Sequence, residues 1–139
     1  MGWRRKAREC ALQLLFQWEG ERADPAAVQA SFWRQIKAAP VTRKFSDQLF
    51  TGTIAALREI DPLIAAHSQH WRLERMAAVD RNLLRLAVHE LQARPKTPPA
   101  VVINEALEIA RRFSTPDSVE FINGVLDAIR KTLQGHPSG

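Results

Sequence analysis

Apolar residues in this chain return every third or fourth position almost from end to end, and nowhere do they alternate convincingly enough to make a strand. That period commits the chain to amphipathic helices, each hiding one stripe and wetting the rest. Ala7, Cys10, Ala11, Leu14, Leu15 and Trp18 make the first stripe, and Gly20 is expected to stop that helix. Asp24-Pro25 reads as an N-cap followed by proline in the first helical turn, opening a second helix through Val28, Phe32 and Ile36 that Pro40 ends. A third helix is predicted from about Thr42, with Phe45, Leu49, Thr53 and Ala56 on one face and Phe50, Ile54 and Leu57 beside them. Asp61-Pro62 repeats the cap-and-proline signal and is expected to open a short helix toward Trp71.

The stretch Val79–Leu91 is different, because apolar residues cover more than half of its circumference. Such a helix is buried on several sides and serves as a central strut. After the stiff loop Arg94-Pro95-Lys96-Thr97-Pro98-Pro99, Thr97 should cap and Pro98 open a helix through Arg112. Ser114-Thr115-Pro116-Asp117-Ser118 opens a last helix to about Gln134, before Gly135. The sequence thus predicts an all-α fold of about seven helices in two small packed helical bundles. They would share one domain of 139 residues, one subdomain over about residues 1–70 and the other over about 71–139.

A single cysteine excludes an internal disulfide and suits a reducing compartment. No apolar run approaches the roughly 18–20 residues that span a bilayer. Glu9, Gln13 and Gln17 interrupt what would be the apolar region of a secretory signal. A soluble cytoplasmic protein is expected.

The charge is lopsided. Residues 1–44 hold nine Lys and Arg against four Asp and Glu, whereas residues 45–139 hold eleven of each sign. Four of those nine cations, Arg4, Arg5, Lys6 and Arg8, crowd the start of the first helix. A field concentrated at one end draws a polyanion to that end, so nucleic acid is the first partner to consider. At about 100° per residue, Arg5, Arg8, Leu12 and Phe16 fall on a flank or the back of the core stripe. Guanidinium groups there could neutralise phosphates while an exposed ring stacks an unpaired base. Equally, Leu12 and Phe16 could pack on another helix while the arginines solvate a helix end, against a small macrodipole penalty.

Other constellations are thin. Gly124, inside Phe121-Ile122-Asn123-Gly124-Val125-Leu126-Asp127, marks either a tight helix crossing or a backbone approached by a ligand, and Asn123 could cap or bridge a neighbouring loop. His67 and His70 stand three apart, but no further ligand stands at a matching spacing, so no metal and no cofactor is expected. His89 reads as a rim or core histidine, Cys10 as buried filler, and Glu105, Glu108, Arg111 and Arg112 as a solvated, ion-paired face. Nothing has the arrangement of a catalytic site, and no enzyme is expected.

Four blocks in order, Arg5–Trp18, Val79–Leu91, Val101–Phe113 and Phe121–Asp127, resemble the NusB family of bacterial transcription antitermination factors over nearly the whole length. The resemblance implies two packed helical bundles. It also implies binding of boxA RNA together with NusE, a small-subunit ribosomal protein, within an antitermination complex on RNA polymerase. Carried over by position, it gives the arginine-rich motif to Arg4, Arg5, Lys6 and Arg8 and an aromatic, often tyrosine, to Phe16. It sets Asp117, Ser118 and the start of the last helix on the RNA side, and Asp80 with the strut near the NusE contact. A related domain precedes the catalytic domain of some ribosomal RNA cytosine methyltransferases, but no nucleotide-binding segment or catalytic cysteine motif stands in these residues. A pure protein adaptor remains a rival. In a helix-turn-helix regulator the cations would lie on a recognition helix instead.

Three to five phosphates met by Arg4, Arg5, Lys6 and Arg8 imply a log–log salt slope of about −2 to −3.5 on single-stranded RNA. Gln13, Phe16 and Gln17 would lie along the base-facing path, with Asp117, Ser118 and Asn123 at its border. The free protein could be a monomer or a homodimer, and Trp3, Phe32 and Trp33 could serve core or interface.

Overall fold

A computed structural model of the chain describes residues 2–68, 71–94 and 96–134. Among the described residues it contains helices and turns and no strand, which is the expected all-α class. The helices are α1 (Trp3–Glu21), α2 (Pro25–Gln35), α3 (Pro40–Ala55), α4 (Leu57–His67), α5 (Ala78–Ala93), α6 (Pro99–Phe113) and α7 (Pro116–Gln134), with a short 3₁₀ turn at Leu73–Arg75. They form two compact units, Met1–Ala55 and Ala56–Gly139. The sequence had grouped the fourth helix with the first bundle, but α4 packs on α5 and α7 and so belongs to the second unit.

In the first unit, α1 lies on α3 and α2. Ala7, Cys10, Ala11, Leu14 and Leu15 of α1, Val28 and Phe32 of α2, and Leu49 and Phe50 of α3 are buried as its core. Gly20 does not end α1, as expected, but lies within it. The stop is Arg22, left-handed at φ 55° and ψ 28°, whose N–H donates to the Trp18 carbonyl at 2.8 Å. Pro25 opens α2 as predicted, although the Asp24 carboxylate makes no capping bond. Pro40 opens α3 rather than closing α2, which already ends at Gln35. Both roles follow from its missing N–H and fixed φ, which the first turn of a helix accepts freely and a helix interior only at a cost.

In the second unit, α5 is the expected strut: Leu83, Leu84, Leu86, Ala87 and Val88 are all buried, and α4, α6 and α7 pack against it. Asp61-Pro62 does not start a helix, because Pro62 lies inside α4. Asp61 instead receives the fork of Arg85 on α5, Nε to Oδ1 at 2.9 Å and Nη2 to Oδ2 at 3.0 Å. Arg85 Nη1 also donates to Asn82 Oδ1 at 3.1 Å. A bidentate pair of this kind fixes orientation as well as distance, and here it locks α4 to the strut. Arg81 Nη1 donates to the carbonyls of Leu73 and Met76 at 3.1 and 2.8 Å, tying the 3₁₀ turn to the same helix. The cap of α6 is Pro98, one residue beyond the expected Thr97. Thr115 does cap α7, its Oγ1 accepting the Ser118 N–H at 3.1 Å.

Candidate nucleic-acid interface

The first helix carries most of the candidates, and its exposure sorts them. Arg4, Lys6, Gln13 and Phe16 are exposed, while Arg5 and Gln17 are half-buried. Phe16 is 52% exposed, an unusual place for a phenyl ring with no local need for water. Arg5 and Phe16 lie about 20° apart around the helix axis and about 16 Å apart along it. A guanidinium and an open ring therefore share one line on the surface, with Lys6 and Gln13 beside it.

Arg8 departs from the expected solvent-facing flank. It is 6% exposed, with its guanidinium 5.6 Å from the centre of the Phe45 ring. Leu12, farther round the same flank, is buried too. The helix is covered over a wider arc than its apolar stripe announces, because a long arginine stem can lie under a neighbour as readily as a leucine. Glu9 is buried as well and engaged in contacts of its own.

The same end of the unit carries an aromatic cluster that the charge pattern did not single out. Trp3 meets Phe45 edge to face, centroids 5.9 Å apart at 77°. Arg4 lies over the Trp3 ring at 4.5 Å. On α2 and α3, Trp33 donates its indole N–H to Asp47 at 2.8 Å, Gln29 donates to the same oxygen at 3.1 Å, and Arg43 sits 5.5 Å from the Trp33 ring. Phe32 is buried in the core and Trp33 is half-buried. The recurring alternation of arginine with aromatic residues was legible in the sequence only as scattered rings.

In the second unit the candidates at the start of α7 are drawn to the strut. Asp80, 7% exposed, accepts the Ser114 hydroxyl at 2.6 Å and the Ser118 hydroxyl at 2.7 Å, one on each carboxylate oxygen. The Ser118 hydroxyl, expected to border an RNA path, is thus engaged in fixing the entry to α7. Asp117 is exposed in the first turn of α7, where a negative charge favours the helix dipole. Asp80, Asp117 and Ser118 line a hollow of about 340 Å³ with Arg75, Met76, Phe121 and Trp71. Trp71 is 56% exposed. Only its place beside Arg72 and Arg75 in the sequence hinted that it is more than a helix end. Asn123 is exposed farther along α7 and does not line that hollow.

Gly124 marks no tight crossing. A Cβ built there would meet nothing within 4 Å, and the residue lines an open hollow of about 350 Å³ with His67, Trp71, Glu120 and Phe121. His67 uses both ring nitrogens, Nδ1 donating to the Leu63 carbonyl at 2.9 Å and Nε2 lying 3.1 Å from the Thr132 hydroxyl, which itself donates to the Ala128 carbonyl at 3.1 Å. His70, the other half of the histidine pair, lies outside the described residues. Burial pushes the His89 pKa down and the Cys10 thiol up, with smaller contributions from neighbouring charges, as expected of groups enclosed in a core. Arg111 and Glu108 pair at 2.6 Å on an exposed face. Among the described residues, no helix is long and apolar enough to cross a membrane.

Known proteins carry the same pattern. The NusB family profile matches residues 5–131. The transcription antitermination protein NusB of Koribacter versatilis is 53% identical over 95% of this chain and 91% of its own length. That of Sorangium cellulosum is 44% identical over 96% and 95%. Among solved structures, NusB from T. maritima superposes with a TM-score of 0.83 at 35% identity, covering 92% of this chain and 90% of its own. A structure of the antitermination factors NusB and NusE in complex with double-stranded RNA gives a TM-score of 0.82 at 26% identity, covering 94% and 97%. With a family profile over most of its length and close relatives spanning nearly all of it, this chain belongs to the NusB family.

Proposed function

We propose that this chain is a non-catalytic, cytoplasmic transcription antitermination factor. It binds boxA RNA together with NusE and acts on RNA polymerase during ribosomal RNA transcription. The observation that carries this reading is the open arc of α1, where Arg4, Lys6 and Gln13 are exposed, Arg5 is half-buried, and Phe16 stands more than half exposed on the line of Arg5. Cations there neutralise phosphates and hold the strand in register, and the ring offers a face to an unpaired base. Arg8 supports this arc from below, resting on Phe45. Gln17 donates to Glu21 at 3.2 Å, one turn along the same helix.

The NusB–NusE pair seen bound to RNA in a structural relative gives the working unit its form, a heterodimer. In this chain the hollow beside Asp80, floored by Met76 and Phe121 and rimmed by Trp71 and Arg75, is where we assign NusE. In the second unit, taken by itself, Asp117, Ser118 and Asn123 are the residues we assign to RNA contact. Few phosphates are met by α1 alone, so affinity without the partner is modest.

Fluorescence anisotropy with a short boxA RNA and a scrambled control, with and without NusE, tests this. Preference for boxA that tightens with NusE is expected. Equal, weak binding to both RNAs, indifferent to NusE, would replace it with the adaptor reading.

A further inference from the structure

We propose that Trp3, backed by Phe45 and flanked by Arg4, is a second stacking platform for an unpaired RNA base, at the opposite end of α1 from Phe16. The proposal rests on the RNA-binding reading above and adds to it a residue outside the arginine motif.

Trp3 is the first residue of α1 and is 37% exposed. Its indole is held rather than loose: Phe45 meets it at 5.9 Å, and Phe45 lies beneath the buried Arg8 guanidinium at 5.6 Å. A ring immobilised by such a stack loses little further freedom when a base lands on it. Arg4, exposed, lies over the indole 4.5 Å from its centre, so its own guanidinium plane and positive charge form part of the platform. Guanidinium planes and aromatic faces are the two surfaces on which proteins stack unpaired bases, and here they are adjacent. The backbone just before the ring is uncrowded: a Cβ placed on Gly2, the N-cap, would meet nothing within 4 Å. Trp3 and Phe16 are separated by about 20 Å along the helix. At about 100° per residue they also lie about 140° apart around it, so Trp3 offers a base a separate seat served by Arg4 rather than a continuation of the Arg5–Phe16 line.

The alternative is that Trp3 only covers Phe45, a task a leucine would also perform. Anisotropy titrations of the full chain with boxA RNA, across a salt series, separate the two for Trp3→Phe and Trp3→Leu. Stacking predicts that Trp3→Phe stays within about threefold of the parent, while Trp3→Leu weakens binding about five- to a hundredfold, the range for one lost base stack. The salt slope should be unchanged in both, since no phosphate contact is removed. Parent affinity in Trp3→Leu would overturn the platform. So would equal losses in both variants, or a flattened slope with a lowered melting temperature, which would trace the loss to displaced arginines. If instead the parent chain fails to prefer boxA over the scrambled RNA, the RNA-binding reading fails and the platform falls with it. That outcome is distinct from parent and variants all binding boxA alike.

Discussion

The two units differ in how they hold several of their cations, although the second also sets Arg112 5.3 Å from the centre of the Phe113 ring. In the second, Arg85, Arg111 and Arg130 each lie against a carboxylate, those of Asp61, Glu108 and Asp127. In the first, Arg4, Arg8 and Arg43 lie over the rings of Trp3, Phe45 and Trp33. A carboxylate cancels the charge it holds; an aromatic face holds a guanidinium in place and leaves its charge intact. With nine cations and five acids in the first unit against eleven and ten in the second, a positive field survives at one end of the chain only. Aromatic support lets a protein orient arginines for a polyanion without neutralising them first.

The contrast can be broken most forcefully in the second unit. Asp61→Ala takes both carboxylate oxygens from the mostly buried Arg85, and a chemical denaturation curve should show a loss of about 3 kcal/mol. Exposed cations of the first unit should behave otherwise. Arg4→Ala combined with Lys6→Ala should flatten the RNA salt slope by about 1.4, roughly 0.7 for each phosphate contact, while stability moves by no more than about 0.5 kcal/mol. A large stability loss in that pair would erase the distinction between the units.

The smallest effect sharpens the comparison through protons. Burial lowers the His89 pKa, so the folded chain resists protonation that the unfolded chain accepts. Stability is therefore insensitive to His89 above the unfolded value of about 6.5 and declines as pH falls through it toward the folded value. Denaturation midpoints at pH 7.5 and 5.5 should differ less in His89→Gln than in the parent, and an identical difference would remove His89 from the account.

The sequence announced the strut and the last helix almost to the residue, because α5 and α7 carry strong periodicity between clear start and stop residues. It misplaced Pro40, since proline marks a helix start and a helix end with the same missing N–H, and it misplaced Pro62, which α4 accommodates in its interior. At Asp61 the apparent cap was an ion-pair partner for Arg85, 24 residues away and invisible to local spacing. The candidate site was legible as charge but not as burial. A helical wheel gives each residue an angle and cannot say which angle a second helix covers, so Arg8 reads as surface and Leu12 stays open between surface and packing. Gly124 looked like a crossing because a helical glycine costs stability, yet open space lies above it. Trp3 stays undecided between core and interface on sequence alone, since its contact with Phe45 spans 42 positions that no local pattern connects.

Cys10 is buried in the core of the first unit at 3% exposure, with its thiol pushed toward the protonated form. The second unit has no cysteine at all. A thiol-modifying reagent supplied in excess must therefore wait for the first unit to open, and its rate of reaction meters that opening without interference from the rest of the chain. The molecule carries its own clock for the half that bears most of the excess positive charge, readable by mass spectrometry with and without RNA, and needing no engineered probe.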